Sequence, residues 1–334
     1  MIAYSLIALV VAALAGLEGA IRFRLYLDGL TVLLPVSALL AAIIYLTHML
    51  LVVRPASPFS QLQKDFHERL QWRERLWVGL PMIPLFSVFM SVFSSWKVMI
   101  PELQPFRWDP VLHDWDLWLH GGVEPWRWLQ PWLGTPLRTS VINFLYNVWI
   151  FAVYFTLIWQ MFSLRDRALR LQFLLAFLCS WMLLGNLAAT WLSSAGPCYF
   201  GAATGLADPY LPLMKYLHAA AASHPVWSLD VQAGLWADYQ ANRLKAAAGI
   251  SAMPSMHVSS TLLIALLMRR THRCAGWAAA AFLAAILIGS VHLGWHYAVD
   301  GYVSLLATAL IWHFCGRIVA GYCPANGNPH VPSH

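Results

Sequence analysis

Long apolar runs separated by short polar connections dominate the chain. A helix that crosses a bilayer needs about 20 mostly apolar residues. Eight runs meet or approach that length: 2–20, 29–53, 77–96, 139–163, 171–193, 254–268, 275–295 and 299–319. The first carries Glu18 near its end. It lacks a basic leader and an AxA-like cleavage site, so it reads as a span rather than a signal peptide. The sixth is short and draws some of its length from residues around His257. The expected fold is all-α: a polytopic membrane helix bundle of about eight transmembrane helices, with interfacial amphipathic helices. Residues 1–76 are expected to form two N-terminal spans and a surface segment, 77–325 a catalytic membrane domain, and 326–334 a disordered tail.

The connections differ from one another. Residues 54–75 are charged and amphipathic, as a cytoplasmic surface helix would be. In 97–138, Asp109-Pro110 predicts an N-cap followed by proline at the first helical position. Leu112, Trp115 and Leu119 then share a helical face, and Gly121-Gly122 ends the segment. Trp126, Trp128 and Trp132 follow and read as interfacial anchors. Residues 194–253 mix Gly, Ala, Pro and Tyr without a clear period, as a substrate-facing loop or lid would.

Composition supports a membrane protein. Hydrophobic residues make up 60% and charged residues 11%, against about 25% charged in soluble domains. The 18 tryptophans fit residues held where lipid meets water. The net charge of +6 does not signal nucleic acid, because basic residues cluster in alternate short connections. The clusters are Arg54 to Arg75, Arg165/Arg167/Arg170, Arg269/Arg270/Arg273 and Arg317. The positive-inside rule makes these cytoplasmic, along with both termini. The connections 97–138 and 194–253 then face the periplasm, lumen or exterior. Cys179, Cys198, Cys274, Cys315 and Cys323 show neither CxxC nor zinc-ligand spacing.

Most histidines have ordinary explanations. His48 and His313 lie in or near apolar spans, His67 and His272 in basic loops, and His330 and His334 in the polar tail. Two stretches differ, and both fall at the same non-cytoplasmic boundary: 249–257 (GISAMPSMH) and 289–300 (GSVHLGWHYAVD). Ionisable groups at membrane depth are costly and mark function. Pro254-Ser255 would present His257 at a helix start, where free N–H groups suit an anion. His296 and Asp300 are four apart and share a helical face if the last span begins near His296. An aspartate can orient a histidine and stabilise its cation. One histidine as nucleophile, a second as acid and an aspartate as orienter make a complete set for phosphoryl transfer through a phosphohistidine.

PSMH at 254–257 with HLGWHYAVD at 292–300 resembles the type 2 phosphatidic-acid phosphatase superfamily. Its second motif is P-S-G-H and its third S-R-x5-H-x3-D. The resemblance covers about residues 170–320. It implies His296 as nucleophile, His257 as general acid and Asp300 as orienter. The departures are specific. Gly289-Ser290 stands in place of Ser-Arg, so a phosphate-binding arginine is missing, and Met256 replaces the second-motif glycine. The first motif, K-x6-R-P, is matched only in spacing, by Lys97-x6-Gln104-Pro105, one connection too early. Missing arginines look more like the inositol phosphorylceramide synthase branch. Gly196-Pro197-Cys198-Tyr199 also resembles a loop element of that branch. The implied substrate is a lipid phosphate or phospholipid, with a lipid alcohol as possible acceptor and no metal, nucleotide or nicotinamide requirement.

Something must still neutralise phosphate. Arg243 and Lys245 are the first candidates, with Lys97 behind them. Ser255, Tyr199, Ser290 and His292 complete the candidate phosphate and substrate contacts. Two other readings compete. His292, His296 and Asp300 at fourfold spacing could ligate zinc, although Gly294 interrupts a rigid helix. A transporter or scramblase is the other, although no internal repeat is visible.

Overall fold

A computed structural model describes residues 1–65, 71–245 and 248–322. Cys323, His67, His330, His334, the tail at 326–334 and part of the 54–75 surface segment lie outside the described residues. The chain folds into helices, with no strand among the described residues. It divides into two compact units, Met1–Val92 with Met161–Arg165, and Phe93–Gln160 with Asp166–His334.

The first unit holds α1 (Ile2–Leu14), α2 (Leu27–His48), α3 (Pro58–Lys64), α4 (Trp72–Gly79) and the start of α5 (Met82–Leu103). α2 runs on through a π-helical turn at Met49–Val53. Asp65 is held by the Tyr45 hydroxyl and by Gln61 Nε2, both at 2.8 Å.

The second unit contains the rest of α5, then α6 (Asp109–Leu119), α7 (Pro125–Leu133), α8 (Pro136–Phe162) and α9 (Arg167–Met182). α9 continues through π-helical Leu183–Ala188 into α10 (Ala189–Trp191). Then come α11 (Phe200–Thr204), α12 (Leu211–Ala221), α13 (Trp227–Gln240), α14 (Met256–Thr271), α15 (Arg273–His292) and α16 (Ala298–Tyr322). α14 and α15 are joined at His272 and pack along each other.

Six helices are long and apolar enough to cross a membrane, among the described residues: Pro35–Val53, Trp72–Leu103, Pro136–Phe162, Arg167–Trp191, Arg273–His292 and Ala298–Tyr322. Six of the eight expected runs overlap these. The other two form shorter helices, α1 with 13 residues and α14 with 16. Their apolar runs are cut by Gly16 at one end and by the Pro254-Ser255 turn and Arg269-Arg270 at the two ends of the other.

α16 shows why such helices suit lipid. Leu306, Leu310 and Phe314 recur every four residues and are all more than 60% exposed. Ser304 and Thr308, on another face, are fully buried. Apolar outside and polar inside is the packing expected where lipid replaces water. The architecture is that of an integral membrane protein.

The 97–138 connection forms short helices as expected, α6 and α7, whereas the other long connection departs from its reading. The 194–253 stretch is not an open loop, since α11, α12 and α13 occupy much of it. Their Leu213, Leu217 and Ala220 join one buried cluster with Leu112, Val258 and Tyr297. α6 also differs from the prediction. Trp108, not Asp109, is its N-cap residue. Its buried face is Asp109, Leu112 and Asp116, whereas Trp115 and Leu119 are more than 40% exposed. The expected apolar stripe is therefore split: Trp115 and Leu119 face outward, while Leu112 turns inward with the two aspartates.

Candidate functional site

The site is assembled from two turns and the helices that follow them. Ser255 caps α14, its Oγ accepting from Val258 N at 3.4 Å. That cap sets His257 in the first turn of α14. The second turn lies between α15 and α16. α15 stops at His292, Gly294 turns the chain at φ +72°, and α16 starts at Ala298. His296 therefore precedes the last helix instead of lying within it. The contact with Asp300 forms all the same. His296 Nδ1 is 3.2 Å from Asp300 Oδ2, and Tyr297 N–H donates to the same oxygen at 3.0 Å. The two histidine rings meet edge to face, with centroids 5.8 Å apart.

His296 is buried, and His257 is half-buried among aromatic rings. Trp149 and Tyr146 of α8 approach His257, with ring centroids at 3.9 and 4.6 Å. Trp149 Nε1 donates to Ser260 Oγ at 2.9 Å, which fixes the indole. Burial first, and then the positive charge of Lys97, lower the His296 pKa to about 3, against the pull of a hydrogen bond with the Ala252 backbone. His296 is thus a neutral imidazole at pH 7, the form with a lone pair available for attack.

Lys97 of α5 is half-buried, and its charge acts on both histidines. A close crossing brings the His257 loop onto its main chain. Gly249 sits at φ +95°, and a Cβ there would lie 2.8 Å from the Lys97 carbonyl carbon. Glycine satisfies both the dihedral and the space.

The other candidates are engaged elsewhere. Arg243 and Lys245 both pair with Asp238, at 3.4 and 2.8 Å, and are more than half exposed. Tyr199 donates its hydroxyl to Gln232 O at 2.8 Å and stacks on Trp236. Ser290 Oγ donates to Leu287 O, while its carbonyl accepts from Trp295 N and His296 N. Ser290 thus anchors the His296 turn through its backbone. His292 Nε2 is 3.0 Å from Thr139 Oγ1, on the far side of the turn from His296 in sequence. His292, His296 and Asp300 do not lie along one helix, because α15 ends before His296. Among the described residues no group of three or more His, Cys, Asp and Glu side chains is arranged to hold a metal.

The residues that sequence reasoning missed fasten both turns in place. Asp109 accepts from Ala195 N and Gly196 N, each at 2.8 Å, and from the Tyr297 hydroxyl at 2.8 Å. Asp116 accepts from Ala298 N at 2.8 Å and Val299 N at 2.9 Å. It caps α16 from a distant helix, where free N–H groups and the helix dipole favour a negative charge. The segment held by Asp109 reaches both histidine loops. Ser194 accepts from Ala252 N through its carbonyl and from Met253 N through its Oγ. Cys198 N donates to Gly294 O at 2.8 Å. Gly196, at φ +101°, passes so near Trp295 that a Cβ would lie 2.7 Å from its carbonyl oxygen. Burial raises the pKa of Asp109 against its hydrogen bonds, and raises that of Asp116 to about 6. A signal for the two aspartates was present in the sequence: they are seven apart, hence on one helical face.

The two histidines meet edge to face with an aspartate behind one ring, on the two segments that carry the resemblance in the sequence. A family model described as PAP2 superfamily matches residues 110–314. The chain belongs to the PAP2 superfamily. The matched stretch includes most of α6, both histidine turns, α15 and most of α16. No curated protein and no solved structure matches the chain. Membership of the PAP2 superfamily suggests lipid phosphatase or phosphotransferase activity in a membrane protein.

Proposed function

We propose that this protein cleaves a lipid phosphate ester or phosphodiester through a phosphohistidine on His296. The observation that carries this reading is the His257–His296–Asp300 group, with Asp300 on Nδ1 of a buried, neutral His296 and Lys97 acting on both rings. Asp300 holds the Nδ1–H tautomer and leaves Nε2 to attack phosphorus. The bond from phosphorus to the leaving oxygen breaks as the N–P bond forms, and His257 delivers a proton to that oxygen. His257 then takes a proton from the incoming hydroxyl, which displaces His296 from phosphorus. Water as acceptor gives a phosphatase. A lipid alcohol gives a transferase, the reading closer to the inositol phosphorylceramide synthase branch. The Gly196–Tyr199 element supports that branch, because Gly196 and Cys198 meet the His296 turn directly.

The reaction is proposed on the non-cytoplasmic face, with both termini cytoplasmic. His257 opens α14 while Arg269 and Arg270 sit in its last turn. Arg273 opens α15, and the His296 turn follows its other end. The arginines thus gather at the helix ends opposite the histidines, as the positive-inside rule requires. α6 also supports an interfacial site. Its aspartates grip the histidine turn, while Trp115 and Trp118 are exposed on its outer side.

The test is turnover of a panel of lipid phosphates and phosphoinositides by purified protein, with and without a ceramide or diacylglycerol acceptor. Release of inorganic phosphate means hydrolysis, and a new phospholipid means transfer. His257→Ala, His296→Ala and Asp300→Asn should each lose most activity while folding normally. Near-normal turnover by His296→Ala would refute the mechanism.

A further inference from the structure

An arginine-free site that binds phosphate still needs donors as well as charge, and α8 offers one. Tyr146 is 4% exposed, and its hydroxyl is buried with no hydrogen-bond partner among the described residues. An orphaned buried hydroxyl costs free energy, so proteins rarely keep one without a use. Its surroundings show the use. The ring stacks on His257 at 20° and lies nearly parallel to Trp295, with centroids 6.3 Å apart. Cys198 and Asp300 are near enough to act electrostatically on its hydroxyl.

Tyr146 also occupies the neighbourhood of the missing arginine. Gly289 precedes Ser290, the position that carries arginine in the related motif. A Cβ at Gly289 would lie 3.3 Å from Tyr146 Cδ2 and 3.1 Å from Ile142 Cγ2. Glycine therefore makes the room into which the Tyr146 ring packs. Ser290 is fully buried and turns its Oγ back to Leu287 O, away from any ligand.

We propose that the Tyr146 hydroxyl donates a hydrogen bond to a non-bridging oxygen of the bound phosphate, with Lys97 supplying the charge. Trp295 Nε1 is a second buried donor with no partner among the described residues, on the ring that parallels Tyr146. A neutral donor and one lysine leave the site less positive than two arginines would. That suits a phosphodiester, which carries a single negative charge, better than a dianionic monoester. The inference rests on the phosphohistidine reading for its ligand class, but it can be tested apart from it.

The experiment measures binding of inorganic phosphate and orthovanadate to the purified full chain, alongside thermal unfolding. Tyr146→Phe keeps the ring and removes only the hydroxyl. Affinity for both anions should fall about 10- to 100-fold, as for loss of a hydrogen bond to a charged group. The unfolding temperature should stay the same or rise, because an unsatisfied group has been removed. Three results would overturn the inference: Tyr146→Phe affinity within twofold of wild type, a clear loss of thermal stability, or no binding of either anion by wild type. Turnover by His296→Ala, measured in parallel, reports on the phosphohistidine separately. If that variant stays active while Tyr146→Phe loses anion affinity, the donor stands and the nucleophile assignment falls.

Discussion

The α6 clasp and the histidine pocket are both buried and both polar, yet their hydrogen bonding is opposite. In the clasp, each oxygen of Asp109 and Asp116 accepts a hydrogen bond, and their partners come from 86 to 188 residues away. In the pocket, Asp300 Oδ1, the Tyr146 hydroxyl and Trp295 Nε1 have no partner among the described residues. Orphaned buried polar atoms are costly, so those lining the proposed site are candidates to meet a ligand, whereas the fully engaged aspartates hold architecture. On the proposed mechanism, the difference separates residues that position chemistry from residues that touch it. It also predicts opposite outcomes for substitution in the two regions.

The largest effect is expected inside the pocket. Asp300→Asn keeps the shape but not the charge that orients and stabilises His296. Turnover should fall on the order of 10³- to 10⁴-fold, by analogy with triad aspartates, with little change in unfolding temperature. A mild loss of turnover would move Asp300 from the pocket to the clasp in role. Asp116→Ala is the counterpart. It strands the Ala298 and Val299 N–H groups and should cost about 2–6 kcal/mol of stability, at 1–3 kcal/mol for each unsatisfied donor. Turnover should fall along with stability, and Asp116→Asn, which keeps one acceptor, should recover part of both. Full stability in Asp116→Ala, checked by thermal unfolding in detergent, would break the distinction.

Lys97→Met should act mainly on substrate binding. KM is expected to rise about 10- to 100-fold, the usual range for a charge-assisted hydrogen bond. Substituting Arg243 and Lys245 together should leave KM near wild type, since Asp238 already engages both. The smallest effect is on pH dependence. The Asp116 pKa is raised by burial to about 6, with Asp300 adding to the rise and His120 opposing it. The folded state thus holds this proton more tightly than the unfolded chain. The stability it contributes is full below about pH 4 and is lost as pH rises through about 6. Asp116→Asn should flatten that part of the stability profile.

The sequence revealed these two regions unequally. His257, His296 and Asp300 were legible because ionisable groups beside apolar runs have few structural uses. The six long spans were legible because their apolar runs are continuous. The clasp was hidden because its logic is not local. Asp109 reads as a helix cap, and nothing in its neighbourhood names Ala195, Gly196 or Tyr297 as partners. On α6 the helix itself was legible, but the apolar pattern did not show that the two aspartates point inward beside Leu112. Asn143, Ser228 and Tyr146 carried a readable signal, being polar groups within or near a span, but their pairing needs tertiary structure. Asn143 Oδ1 accepts from both Ser228 N and Ser228 Oγ across 85 residues. Arg243 and Lys245 are close to the second motif in the chain, but their pairing with Asp238 is a tertiary fact that the sequence does not show.

The most direct test of the central claim is to trap the covalent intermediate. Purified protein is mixed with a lipid phosphate or phosphoinositide labelled at phosphorus, quenched in alkali, and mapped by peptide mass spectrometry. The account predicts an acid-labile, alkali-stable phosphoryl or phosphodiester adduct on the peptide carrying His296. The adduct should be lost in His296→Ala. An adduct on another residue, or the same adduct in His296→Ala, would contradict it.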